Sequence, residues 1–226
     1  MGKNLSVSQK FKQSLYKAFP VLSSHYHAYR RLIFNQESYL YKSGWMNSVA
    51  LNKPVDVNSE LLPWMNFSVI DLLRERVSDD MSVFEYGCGY STLFLSKLCK
   101  KIVSVEHDQV WLETLKPKFA NNAEAYYCEI DVDGDYCRFT PEHITQFDLV
   151  IVDGRDRVNC LIQSVKKLKE NGVIILDDSH RKKYQEGKDY LLSRSFKALT
   201  ISGLKPTGTG VDTSTIYYRD QNCFDL

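Results

Sequence analysis

The chain has 226 residues, 43% hydrophobic and 25% charged, enough for one sizeable α/β domain with an appendage. Twenty-nine Lys and Arg against 28 Asp and Glu leave a net charge of +1, which argues against nucleic acid as the partner. No apolar run reaches bilayer length, no signal-peptide core opens the chain, and the six scattered cysteines form no C-x-x-C pair, so a reducing cytoplasm is the expected compartment.

Residues 1–58 read as a helical extension and residues 59–226 as the main domain. Up to Asn35 the chain carries Lys3, Lys10, Lys12, Lys17, Arg30 and Arg31 and no acid. Val7, Phe11, Leu15 and Phe19 recur at helical spacing, and after Pro20 a second stripe runs through Leu22, Tyr26, Tyr29 and Ile33. Two readings stay open. One is a basic helix giving peripheral contact with an anionic membrane; the other is a cover packed on the domain or on the partner of a homodimer. Residues 52–58 look like a linker. A helix is expected over residues 67–77, burying Val69, Leu72, Leu73 and Val77.

Residues 82–108, SVFEYGCGYSTLFLSKLCKKIVSVEHD, organise the rest. Val83 and Phe84 begin a short strand. Gly87 and Gly89 suit a tight turn with close backbone approach to a ligand. Ser91 and Thr92 are placed to cap the helix that follows, and Leu93, Phe94, Leu95 and Leu98 give it an apolar face. Ile102, Val103 and Val105 make the second strand, with Glu106 at its end. Further on, a helix is expected over residues 109–119, a strand over 125–130 and a central strand over 147–152. A helix over 158–169 should stop at Asn171-Gly172, before a strand over 173–176. A helix over 184–193 and strands over 196–202 and 214–219 complete the chain. This pattern predicts a doubly wound, mostly parallel sheet of seven strands. The final pair lacks a connecting helix, which suggests one antiparallel insertion.

Ligands of open α/β sheets bind beyond the carboxyl ends of the strands. Here those ends carry Glu85, Glu106, Asp131, Asp153 and Asp177-Asp178. The full dinucleotide fingerprint needs a glycine where Thr92 stands, which weakens a nicotinamide oxidoreductase reading. Tyr184 and Lys188 have a proton-donor spacing but no matching serine. A non-catalytic scaffold of the same fold is the other alternative.

The turn E-x-G-x-G-x-S/T, with Glu106 nineteen positions after Gly87, resembles class I S-adenosylmethionine-dependent methyltransferases. PWMNF, VFEYGCGYSTLFLS, VSVEHD, DLVIVDGRDRVNC, GVIILDDSHRKKYQEG and STIYYRDQNC further resemble a bacterial group of small methyltransferase-like proteins. Members of that group are often associated with surface-polysaccharide gene clusters. The resemblance covers residues 61–223, departing at Cys88, where Ser is usual, and at Asp178, where Asn is common. It implies a Rossmann-like methyltransferase fold and S-adenosylmethionine as cofactor. The cofactor would be held by Glu85, Tyr86, Gly87, Gly89, Ser91 and Thr92 at the turn, Glu106 and His107 at the ribose, Asp131 at the adenine, and Asp153. Asp153, Asp177 and Asp178 resemble the metal site of catechol-type O-methyltransferases, which implies Mg2+. The metal-free rival uses Asp153 or His180 as general base. Arg155 and Arg157, either side of Asp156, would hold an anionic or sugar-like substrate or form an Arg-Asp pair capping the next helix, both readings staying open. Trp64 would supply an aromatic wall for a small-molecule or glycan acceptor. The expected reaction is O-methylation of a small or sugar-like acceptor.

Overall fold

The computed structural model describes Tyr16, residues 19–144 and residues 146–226. The amphipathic stretch through Val7, Phe11 and Leu15 lies outside the described residues.

Seven strands form one sheet: β1 (Ser82–Tyr86), β2 (Lys101–Glu106), β3 (Ala123–Tyr127), β4 (Phe147–Val152), β5 (Leu168–Leu176), β6 (Lys197–Leu204) and β7 (Val211–Tyr218). Their order is β3-β2-β1-β4-β5-β7-β6. The first five run parallel, and β7 enters antiparallel between β5 and β6. The described helices are α1 (Pro20–Ile33), α2 (Tyr39–Lys42), α3 (Trp45–Leu51), α4 (Phe67–Arg76), α5 (Tyr90–Leu95), α6 (Gln109–Leu115), α7 (Asp135–Arg138), α8 (Arg157–Lys167) and α9 (Gln185–Ser193).

Strand side chains alternate, so the apolar runs of β1, β4 and β5 feed two cores. Val83, Leu149, Ile151, Val173 and Ile175 face α4 and α5 on one side. Phe84, Tyr86, Val150, Val152, Ile174 and Leu176 face α7, α8 and α9 on the other. A continuous run of β-branched and aromatic residues is what a strand covered on both faces requires, and β4 is buried along its whole length.

Several boundaries differ from expectation. The third strand begins at Ala123, not Ala125, because Ala123 pairs with Ile102. It leaves the sheet after Tyr127, where its partner strand ends at Glu106. The helix after Glu106 stops at Leu115 and tightens into a 3-10 turn over Lys116–Lys118, since Pro117 has no N–H to extend it. The α8 helix ends at Lys167, and β5 starts directly with Leu168. Residues 169–172, with Asn171-Gly172 among them, lie in a bulge between the Phe147–Leu168 and Leu149–Val173 pairs.

Residues 52–58 are a packed turn, not a loose linker. Val55 is 2% exposed, and its backbone N–H and C=O both bond the Ser48 hydroxyl. Gly44, at φ +84°, lies against Asp56, whose Cα would be 2.4 Å from any Cβ placed there. Trp45 ties this region to the far end of the chain by donating to the Gly208 carbonyl at 2.7 Å. The α1 helix, by contrast, buries none of its side chains.

Candidate functional site

The site is built at the carboxyl ends of β1, β2 and β4. Beneath it lies Glu85, fully buried. Of Ser91 and Thr92, expected to cap α5, Thr92 does so; both hydroxyls donate down to the Glu85 carboxylate, with Thr92 Oγ1 at 2.5 Å from Oε2, joined there by Ser104 Oγ at 3.0 Å. Thr92 Oγ1 also accepts from the Gly89 N–H at 3.0 Å. Glu85 therefore fastens the turn from below and does not border the cavity. Burial pushes its carboxyl up to about 7, against the three hydroxyl donors. Tyr86 is likewise core: its hydroxyl donates to the Cys137 carbonyl at 2.6 Å, away from the cavity.

Above Glu85 the turn opens a cavity of about 310 Å³. Gly87 sits at φ +96°, and a Cβ there would stand 3.0 Å from the Gly154 backbone, so the first glycine is required by conformation and by close packing. Gly89 is extended, and a Cβ there would meet only Ser91, Oγ at 3.6 Å and the backbone N at 4.0 Å, both ordinary contacts. Its missing side chain is cavity volume. The Glu106 carboxylate borders this space and is aimed by three amides. Cys88 N–H donates to Oε2, and His107 and Asp108 N–H both donate to Oε1, all at 2.8 Å. A carboxylate so held keeps one acceptor site, on Oε2, for a further donor such as a ribose hydroxyl. His107 also borders the cavity. Its Nδ1 lies 2.7 Å from Glu106 Oε1, outside hydrogen-bond alignment.

Sequence reasoning missed Trp111, whose ring lines the cavity while its Nε1 donates to the Cys88 carbonyl at 2.7 Å. The available signal was its place in the first turn of α6, where Asp108 caps its N–H at 3.0 Å. Tyr90 packs edge-on to Trp111 at 5.7 Å and stacks on Trp64 at 6.2 Å. Neither Trp64 nor Tyr90 lines the cavity; Trp64 sits behind Tyr90 and Trp111, and its own Nε1 bonds Thr207.

The three aspartates expected to bind Mg2+ meet a different cation. Lys205, on the β6–β7 connection, places Nζ 3.3 Å from Asp177 Oδ2, 3.1 Å from Asp178 Oδ1 and 3.3 Å from Asp212 Oδ2. Asp153 is paired with Arg157 at 2.8 Å, and Asp178 with Arg181 at 2.5 Å. Asp178, His180 and Asp212 do bring ligand atoms within 4.8 Å of one another, but Lys205 touches both carboxylates. An ammonium inside the cluster repels a second cation, so these residues do not fit a divalent ion. Burial opposes the charge on Lys205, yet Asp177, Asp178 and Asp212 outweigh it and hold the ammonium firmly protonated. Burial, with Asp177, pushes Asp212 up to about 6.

Asp153 borders the cavity with 27% of its side chain exposed. Burial and then Asp177 raise its pKa well above the usual carboxylate value, against Arg157 and Lys205. Arg157 is not available to a substrate. Its guanidinium donates to the carbonyls of Gly154, Asp153 and Asp177 as well as to Asp153 Oδ1. Arg155, by contrast, is exposed and bonds His107 Nε2 at 3.5 Å. Asp131 is not at the cavity: Oδ2 accepts from the Asp135 N–H at 3.3 Å at the start of α7. The early end of β3 put it there. His180 is exposed beside Asp178 and does not line the cavity.

No protein-family model matches the chain, and no curated protein matches its sequence. Among solved structures it is similar to the O-methyltransferase TomG from Streptomyces achromogenes in complex with SAM, at TM-score 0.52 and 16% identity over 85% of this chain and 94% of that one. It is also similar to precorrin 8w decarboxylase from Methanobacterium thermoautotrophicum, at 0.50 and 19% over 67% and 87%. Spermidine synthase from Thermotoga maritima gives 0.50 and 17% over 67% and 57%. At such identities the likeness speaks for the fold. With its glycine turn after β1, its acid after β2 and β7 inserted antiparallel, the chain has the Rossmann-like methyltransferase fold.

Proposed function

We propose that the chain is an S-adenosylmethionine-dependent methyltransferase acting on a hydroxyl of a small or sugar-like acceptor. The observation that carries this reading is the Glu106 carboxylate, aimed by three amides at a cavity whose floor is the Gly87–Gly89 turn. The residues fit the cofactor: Glu106 keeps an acceptor site on Oε2 for a ribose hydroxyl, Gly89 leaves room, and Trp111 offers an aromatic wall. Bound there, S-adenosylmethionine would supply a methyl group activated by its sulfonium charge. The protein's part is alignment, exclusion of water and removal of one proton. Asp153 is the group placed for that proton. It borders the cavity, and a raised pKa makes it a better proton acceptor than an ordinary carboxylate. His180, away from the cavity, loses that role.

The nicotinamide alternative loses support. Thr92 holds the third-glycine position with its hydroxyl committed to Glu85, and Tyr184 is buried under the Arg157 guanidinium. The surface-polysaccharide association, the cytoplasmic compartment and a homodimer belong to the same proposal.

The test is calorimetric titration of the full chain with S-adenosylmethionine, for the wild type and for Glu106→Gln. We expect micromolar binding, weakened at least tenfold in the variant, the scale of one lost charge-assisted pair. Equal affinity in both proteins would refute the site, and no binding by the wild type would favour a scaffold of the same fold.

A further inference from the structure

A second cavity, of about 240 Å³, opens across the same wall. It shares Gly154, Arg155 and Arg157 with the first, and adds Arg181, Lys183 and Tyr184 from the segment after β5. The two cavities differ in charge. Glu106, Asp108 and Asp153 face Arg155 and Arg157 in the first; in the second, four cations face one carboxylate. That carboxylate, Asp156, is already taken by the Asp133 N–H at 3.0 Å and by the Asn159 amide.

The cations are not all committed. Arg157 is bonded to four protein oxygens, so its charge is present but four of its five N–H groups are used. Arg181 pairs with Asp178 yet stays 46% exposed, and a guanidinium has five N–H groups. Among the described residues, no carboxylate lies within 4.0 Å of the Lys183 ammonium or the Arg155 guanidinium. Lys183 rests on the Tyr184 ring, 5.2 Å from its centroid. Arg155, Arg181 and Lys183 thus converge on one hollow with donors to spare. A phosphate or a carboxylate supplies what those donors lack, by charge-assisted and forked hydrogen bonds.

We infer that this second cavity binds an anionic group, phosphate or carboxylate, of the acceptor molecule. The shared wall of Gly154 and Arg155 then sets where the rest of the acceptor lies, with its hydroxyl turned toward Asp153 and the cofactor cavity. The word acceptor rests on the methyltransferase reading; the anion site does not.

The test is titration of the full chain with inorganic phosphate, acetate and glucose separately, with and without S-adenosylmethionine. The wild type should bind phosphate or acetate and not glucose, and the tighter of the two anions identifies the group. Lys183→Glu should weaken that anion by about tenfold or more, and Lys183→Arg should retain it. Lys183 is exposed and does not border the cofactor cavity, so S-adenosylmethionine should titrate alike into wild type and Lys183→Glu. Failure of both anions to bind, or equal binding to wild type and Lys183→Glu, overturns the inference. Anion binding lost in Lys183→Glu alongside a wild type that ignores S-adenosylmethionine would keep the anion site and refute the methyltransferase reading.

Discussion

Burying Glu85 carries a cost that depends on pH. Its carboxyl titrates near its ordinary value of 4.5 when unfolded and at about 7 when folded. Between those values the folded chain holds a proton that the unfolded chain has lost. Stability therefore falls as pH rises from 4.5 through about 7 and is flat on this account above that, a change of roughly 3 kcal/mol at most. Glu85→Gln should flatten that slope, read as guanidinium midpoints across the window. Asp153 makes a separate prediction. It must be ionised to take a proton, and burial beside Asp177 raises its pKa. The acidic limb of the methyl-transfer rate should lie above the ordinary carboxylate range, and Asp153→Asn should remove most of the activity while sparing cofactor affinity. A limb near pH 4 in the wild type would remove Asp153 from this role.

At the scale of elements, two connections shape the site. The turn from β1 to α5 needs glycine at position 87, where φ is +96° and Gly154 leaves no space. Gly87→Ala should cost about 1–3 kcal/mol in denaturant unfolding and lower cofactor affinity with it. The β6–β7 connection carries Lys205 back into the acids after β5. Lys205→Met should destabilise the chain by about 3–5 kcal/mol, because Asp177, Asp178 and Asp212 lose a buried counter-charge. Mg2+ should leave cofactor affinity unchanged in the wild type; a magnesium-dependent gain would reverse our account of this cluster. The turn was legible in the sequence, since glycine has few other reasons to recur there. Lys205 was not, because it lies 27 and 28 residues from Asp178 and Asp177, and only strand pairing closes that distance.

For the molecule as a whole, stability resides in the two cores beside the sheet, and α1 stands outside them. Leu22 and Leu32 are 69% and 48% exposed. The double substitution Leu22→Asp with Leu32→Asp should change the unfolding free energy by less than about 0.5 kcal/mol per site, whereas Ile70→Asp in α4 should unfold the chain, as circular dichroism would show. The sequence by itself determined the sheet, its antiparallel insertion, the glycine turn and the acid of β2. Those are local or periodic signals: apolar runs of strand length, glycines between them and an acid at a strand end. Tertiary structure alone decided which acids face the cavity. It turned Glu85 downward, carried Asp131 off with the early end of β3, and filled the aspartate cluster with Lys205. A side chain's direction and the charge it meets depend on partners far along the chain, and burial in low dielectric then fixes which charge must pair with which.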